Sequence, residues 1–188
     1  MLRRRLLVWM VLVSAPLVSP PAQSADVQVW VQDNDVRIQR VGDRFLVDLE
    51  FVAPVPLALA WAVLTDFAHM RDFVPNLTSS EVVERNENLL RVVQKGVARY
   101  GPFAARFEST REILLFAPTE IRSHNVGGTV KQMDSVMQLQ SEGSGTRLRY
   151  RAEVAPGVWF PPLVGPALVR HEVAEQFSAI VREMVRRR

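Results

Sequence analysis

The chain has 188 residues, with 23 lysines and arginines, 20 aspartates and glutamates, and no cysteine. Without cysteine, disulfides, thiol nucleophiles and thiolate metal sites are excluded, and packing alone must hold the fold. The formal charge of +3 falls to zero once the three arginines of a leader-like N-terminus are set aside, and a neutral domain lacks the electrostatic footprint of a nucleic-acid binder.

Arg3-Arg4-Arg5, an apolar run from Leu6 to Val13, and Ala22-Gln23-Ser24 follow the three-part layout of a secretory signal peptide, with cleavage before Ala25. The apolar run is short for a membrane span; retention as an uncleaved N-terminal anchor is the alternative. No cysteine follows it, so lipoprotein anchoring is excluded. The expectation is a signal peptide over residues 1–24 and one domain over 25–188, periplasmic or secreted from a bacterium. That length suits a single substantial core.

Residues 27–53 read as two or three short strands, with turn signals at Asp33-Asn34 and Gly42-Asp43. Phe45, Val47, Leu49 and Phe51 form one apolar face. Pro56 suits the start of a helix, and Leu57, Trp61, Leu64 and Phe67 or Ala68 continue it as an apolar stripe. Ala58, Ala62 and Thr65 are small enough to let a sheet approach. Met70 to Val74 can add a turn, which Pro75 ends.

From about Ser79 to Val154 the pattern is antiparallel strands, punctuated at Gly101-Pro102, Ala117-Pro118, Gly127-Gly128 and Glu142-Gly143-Ser144-Gly145. Pairing Ser141 with Thr146 sets Leu139 against Leu148, Met137 against Tyr150, Ser135 against Ala152 and Met133 against Val154. These residues form one apolar face. Gln138, Gln140, Arg147, Arg149 and Arg151 take the other, as a solvated ladder; a one-residue slip would mix the two faces. Around Gly127-Gly128 two registers are open. One turns Arg122 and His124 inward, and the other turns Ile121, Ser123 and Asn125 inward, burying an isoleucine and no charge. Leu163, Val164, Ala167, Leu168, His171, Ala174, Phe177, Val181 and Met184 then mark an amphipathic helix of roughly five or six turns.

Signatures of catalysis are scarce. The three histidines, His69, His124 and His171, fall in no HExxH pattern, and there is no nucleophile elbow, Walker loop or dinucleotide fingerprint. His171 and Glu175 share a helix face, but two ligands do not make a metal site. Asp66 and His69 read as a capping or surface pair. Tyr150, on the apolar face of a central strand, is the best polar handle: its phenol can meet a ligand carbonyl or a backbone carbonyl. No acid and base form a working pair.

Val63-Leu64-Thr65-Asp66-Phe67, then Phe73-Val74-Pro75-Asn76-Leu77 and Ser80, resemble the early segment of the polyketide cyclase/dehydrase-like, START-related (SRPBCC) proteins, nearest their coenzyme-Q-binding branch. Pro118, Gly128, Gly145-Thr146-Arg147-Leu148 and Phe160-Pro161-Pro162-Leu163 fit as well, and the likeness covers roughly residues 45–185. The resemblance implies an α+β helix-grip (START-like) fold, a curved antiparallel sheet wrapped around a long C-terminal helix with an apolar cavity between them. It also implies a hydrophobic ligand such as a lipid, quinone or polyketide-like ring. The leader-like segment departs from the quinone-binding relatives, which act inside the cell or mitochondrion.

These readings lead to a periplasmic, monomeric carrier of a small hydrophobic ligand that needs no cofactor or metal and touches a membrane surface only transiently for exchange. The expected wall is Met133, Met137, Leu139, Leu148, Tyr150 and Ala152 from the sheet, with Phe177, Val181 and Met184 from the helix. Phe103, Phe107 and Trp159 are core residues first and ligand contacts second, and the segment from Phe73 to Leu77 or residues 158–163 would gate the cavity. Methionines suit such a wall because they adapt to irregular shapes. One alternative is a cyclase- or dehydratase-type enzyme acting on an aromatic or polyketide-like substrate through His124 with Arg122, or through Tyr150. A second is a protein-interaction module whose cavity is filled by side chains.

Overall fold

The pairing of Gln132–Glu142 with Gly145–Ala155 is where the sequence specifies register most strongly, and the computed structural model of the protein adopts that register. Met133 opposes Val154, Met137 opposes Tyr150, Leu139 opposes Leu148 and Ser141 opposes Thr146. Gly143, at φ 58°, makes the tight connection that an L-residue would resist. The structure describes residues 30–155, 157 and 164–188. The leader-like segment, Trp159, the gate expected at 158–163 and the Phe160-Pro161-Pro162-Leu163 motif lie outside the described residues, as does the side chain of Phe103.

Eight strands, β1 (Arg37–Val41), β2 (Arg44–Ala53), β3 (Leu77–Asn86), β4 (Leu89–Tyr100), β5 (Phe103–Phe116), β6 (Glu120–Gly128), β7 (Gln132–Glu142) and β8 (Gly145–Ala155), form one antiparallel sheet. Their order is β1-β2-β8-β7-β6-β5-β4-β3. Helices α1 (Leu57–Leu64) and α2 (Met70–Phe73) carry the chain from β2, near one edge, to β3 at the other. Helix α3 (Val164–Arg186) packs against β1 and β2 on one side and β4 on the other. A helix can touch strands so far apart in the order only if the sheet curls around it. This is the START-like helix-grip α+β fold.

Pro56 caps α1, its carbonyl accepting from the amides of Leu59 and Ala60 at 3.0 Å each. The helix stops at Leu64, earlier than its apolar stripe suggests, because the Thr65 hydroxyl donates back to the Trp61 carbonyl at 2.9 Å. Its buried residues are Ala60, Val63 and Leu64, whereas Ala58 and Ala62 face solvent and do not admit the sheet. A segment apolar on every side carries little periodicity from which to choose a face. The Gly127-Gly128 pair is likewise not the turn. Strand β6 runs through it, and Gly128, at φ 101°, lies so close to β5 that a Cβ would meet the Glu108 carbonyl oxygen at 2.1 Å.

The outward face of β8 is an ion-pair ladder, as its alternation predicts. Arg149 meets Glu50 at 2.7 Å, Arg151 meets Asp48 at 3.2 Å, and Arg147 joins Glu50 and Glu142. Pairs this exposed contribute about 0–1 kcal/mol each. The interior is more decisive. Phe177 of α3 has its ring 4.9 Å from Tyr150 and 5.7 Å from Phe51, and Ile180, Val181 and Met184 beyond it are fully buried. Ser178 fastens the helix to the segment before β1, accepting from the Val31 amide at 2.9 Å and donating to the Val31 carbonyl at 2.8 Å.

At the end of α3, Glu183 is 6% exposed and holds Arg186 and Arg187 at 2.6 Å; Arg187 also reaches Asp66 at 2.8 Å. Hydrogen bonds from Arg186, with Arg187 adding and burial opposing, lower the Glu183 carboxyl from 4.5 to about 2. A depressed carboxylate stabilises the fold above its ordinary value and loses that contribution as pH falls toward about 2. The solvent around the two arginines screens the pair, so the contribution is about 1–2 kcal/mol. Glu183→Gln is therefore expected to lose about that much in urea denaturation at neutral pH. Its stability should also decline less steeply than that of the wild type as pH falls from 4.5 toward about 2.

Candidate functional site

The inward side chains of β4 and β5 shrink toward the first turns of α3. On β4 they run Leu90, Val92, Gln94, Gly96, Ala98, and on β5 Ile113, Arg111, Ser109, Phe107, Ala105. Leu90, Val92 and Ile113 fill their end of the sheet. The small residues at the other end leave a cavity of about 200 Å³. Leu77, Phe107, Val130, Met133, Val154, Leu168, Val169 and Val173 supply its apolar walls. Gln94, Ser109, Arg111, Glu172 and Gln176 supply polar groups, with Asn76, Thr129 and the solvent-exposed Arg106 at its border.

Arg111 is the central one. Its guanidinium is shut off from bulk solvent, although part of its surface faces the cavity. Burial lowers its pKa, opposed by the neighbouring Tyr150 phenol, yet an arginine remains a cation at neutral pH. Nη2 donates to Gln94 Oε1. Gln94 Nε2 donates to Ser80 Oγ at 2.9 Å, and Ser80 Oγ donates to the Phe67 carbonyl at 2.5 Å. A buried line of hydrogen bonds thus runs from the cavity to the turn after α1, and it fixes which way the Gln94 amide faces. Among the described residues Arg111 has no carboxylate partner. Burial raises the pKa of Tyr150, with Arg111 and a hydrogen bond from Ser135 pulling the other way.

A clamp borders the cavity. Glu172 of α3 accepts hydrogen bonds from Asn76 Nδ2 and from the backbone amide of Arg99. Burial raises its carboxyl above the usual range, and those two bonds oppose the rise. The Asn76 carbonyl in turn accepts from the Val97 amide at 2.9 Å. Gly96 is required at this junction: a Cβ there would meet the Asn76 carbonyl oxygen at 2.3 Å and the Phe107 ring at 2.5 Å. The clamp joins the loop after α2, strand β4 and α3.

A larger groove, about 1100 Å³, opens on the outer face among β1, β2 and β6 to β8. It is wide to solvent, and Arg149 and Arg151 along it already have partners in Glu50 and Asp48, while His124 lies 2.5 Å from Asp134. Such a surface neither excludes water nor leaves these charges in need of a partner. The smaller cavity inside the sheet has mostly apolar walls and an arginine with no carboxylate partner among the described residues, and it is the candidate site.

The sequence profile described as polyketide cyclase/dehydrase and lipid transport matches residues 53–182. The chain belongs to that family. Solved structures with the same fold include a Thermus thermophilus protein, at 17% identity and TM-score 0.65, covering 76% of this chain and 98% of that one. The Zhui aromatase/cyclase of a Streptomyces species is also 17% identical, with TM-score 0.63 and coverage of 77% and 95%. A STAR-related lipid transfer protein fragment from Xanthomonas axonopodis is 12% identical, with TM-score 0.63 and coverage of 80% and 92%. No curated protein sequence matches the chain.

The motif residues shared with the polyketide cyclase/dehydrase and lipid transport family have structural roles here. Asn76 is in the clamp, Ser80 is in the line from Arg111, and Thr146 donates to the Val55 carbonyl at 2.8 Å. Of the expected cavity wall, Phe107 and Met133 line it. Met137, Leu139, Leu148, Ala152, Phe177, Val181 and Met184 lie instead in the closely packed core. The aromatic cluster of Phe51, Tyr150 and Phe177 packs at that end. Tyr150 is beside Arg111 but not on the cavity wall. Phe73 lies under Arg187, whose guanidinium is 5.6 Å from its ring centre.

The register at β6 resolves the open alternative. Ile121 and Ser123 face inward, opposite Met137 and Ser135, and Arg122 and His124 face solvent. This corrects the candidate pair of His124 with Arg122: neither reaches the cavity. Arg122 instead pairs with Glu120 at 2.6 Å and lies over the Phe116 ring. His69 pairs with Asp66 at 2.6 Å on the surface, and His171 is 3.3 Å from Asp33. Among the described residues no three metal-ligating side chains come together.

Arg111, Gln94 and Glu172 went unrecognised in the sequence. Their signal was there: Arg111 shares the parity of Phe107 and Ile113, and Glu172 stands four residues from both Leu168 and Gln176. Gly96→Ala is expected to destabilise the protein by about 1–3 kcal/mol in urea denaturation, through overpacking against Asn76 and Phe107. A neutral result would mean that the clamp does not hold the carbonyl at that distance.

Proposed function

We propose that the protein binds and carries a small hydrophobic ligand in the cavity between β4, β5 and the first half of α3, and that it does so in the periplasm after cleavage of residues 1–24. The observation that carries the reading is the cavity itself. It is walled by Phe107, Met133, Val154 and Leu168, with polar groups confined to a few positions, which is the usual composition of small-molecule sites. Burying the ligand's apolar surface supplies the affinity, at about 25 cal/mol per Å². The family's description includes lipid transport, and the Xanthomonas axonopodis neighbour is described as a lipid transfer protein. The arginine-led, apolar, small-residue order of the first 24 residues supports export. We place ligand exchange at a membrane surface touched transiently by the monomer, and the charge balance favours no nucleic acid.

A second reading, a cyclase- or dehydratase-type enzyme, has one observation in its favour. The Glu172 carboxyl, raised by burial, borders the same cavity as the Arg111 cation, and an acid tuned upward suits proton transfer on an oxygenated ring. The Zhui neighbour is described as an aromatase/cyclase.

Native mass spectrometry of protein purified without detergent, followed by organic extraction, tests the carrier reading. The expected result is a stoichiometric hydrophobic adduct on a chain beginning at Ala25, recovered from the periplasmic fraction. A clean apo mass, together with no uptake of added short-chain amphiphiles, would overturn it. Chemical conversion of the extracted compound by the wild type but not by Glu172→Gln would establish the enzyme instead.

A further inference from the structure

Arg111 is a buried cation on a cavity with mostly apolar walls, and among the described residues it pairs with no carboxylate, Glu172 on the same cavity being held by Asn76 and the Arg99 amide instead. One side of its guanidinium is committed to Gln94, and its Nε has no partner among the described residues. Two more buried polar atoms in the same state lie on the next strand: Asn125 Oδ1, from the residue directly opposite Arg111, and Ser123 Oγ, two residues along. A buried charge is costly unless something pairs with it. A polar group left unmade inside a protein costs more than a neutral contact returns. The ion pairs of the described residues are found elsewhere, and none includes Arg111.

We propose that the ligand of this cavity is an acidic amphiphile, an apolar body carrying one anionic oxygen group, and that this group docks on the free edge of the Arg111 guanidinium. The inference rests on the cavity being a ligand site and adds the chemistry of the head group. Planar guanidinium donors match carboxylate and phosphate oxygens equally well, so the shared chemistry is the anion. Asn125 Oδ1 and Ser123 Oγ lie off the cavity wall and take no part in the docking. A neutral body of the same shape would fill the volume and leave the cation unpaired.

Isothermal titration of the full exported chain with octanoate, octyl phosphate and octanol separates the outcomes. The three probes share a tail and differ only in the head. The expected result is that at least one anionic probe binds ten-fold or more tightly than octanol. The tighter of the two then says whether the natural head is a carboxylate or a phosphate. Arg111→Met, of similar shape but uncharged, should lose that preference while keeping octanol binding. Arg111→Lys, which keeps the charge, should retain part of it. Equal binding of all three probes to the wild type would overturn the acidic-ligand proposal and leave the carrier reading standing. Failure of all three to bind would overturn both. The comparison within the wild type decides the matter even if Arg111→Met does not fold.

Discussion

The constraint on which this molecule depends is that α3 is packed most densely over its second half. From Ala174 onward the helix is enclosed by aromatic and branched side chains from β2, β7 and β8, and fastened by Ser178 and Glu183. Before Ala174 it faces β4 and β5 where those strands carry glycine, alanine and serine. The tightly packed half fixes the axis of the helix. The other half roofs the cavity and meets β4 at the bond between Glu172 and the Arg99 amide. An interior this well packed at one end has little freedom to collapse at the other.

Polar groups are distributed by the same logic. Along the inner face of β4 and β5, polarity begins where packing ends: Gln94, Ser109 and Arg111 stand at the floor of the cavity. The line from Arg111 through Gln94 and Ser80 to the Phe67 carbonyl ties this floor to the turn between α1 and α2. A charge placed there would otherwise be free to swing. Its neighbours hold it in one orientation, so that the guanidinium presents a defined edge to the compartment.

Much of the fold was legible because strand alternation is a strong constraint wherever one face is buried. The hairpin of β7 and β8 was recovered residue for residue, from Ser141–Thr146 to Met133–Val154. The family motif points to the helix-grip architecture as well. The site was less legible, for a physical reason. Apolar residues mark where a core is dense, and Met137, Leu148, Phe177 and Val181 mark it well. A cavity is where side chains are small, and Gly96, Ala98 and Ala105 look like nothing in a sequence read for hydrophobicity. Arg111 was passed over because a charge inside a strand reads as outward-facing until the parity of Phe107 and Ile113 is applied to it. At β6, burial of Ile121 decided against an inward Arg122.

Glu172 gives the cavity a property that its walls do not. The carboxylate is held by Asn76 from the loop after α2 and by the Arg99 amide of β4, so three separate parts of the chain meet at one side chain. The floor at Arg111 and this border group lie on opposite layers, one on the sheet and one on the helix. Substituting Glu172 would therefore loosen the joint among loop, strand and helix, whereas substituting Arg111 would change the charge of the floor and leave that joint in place.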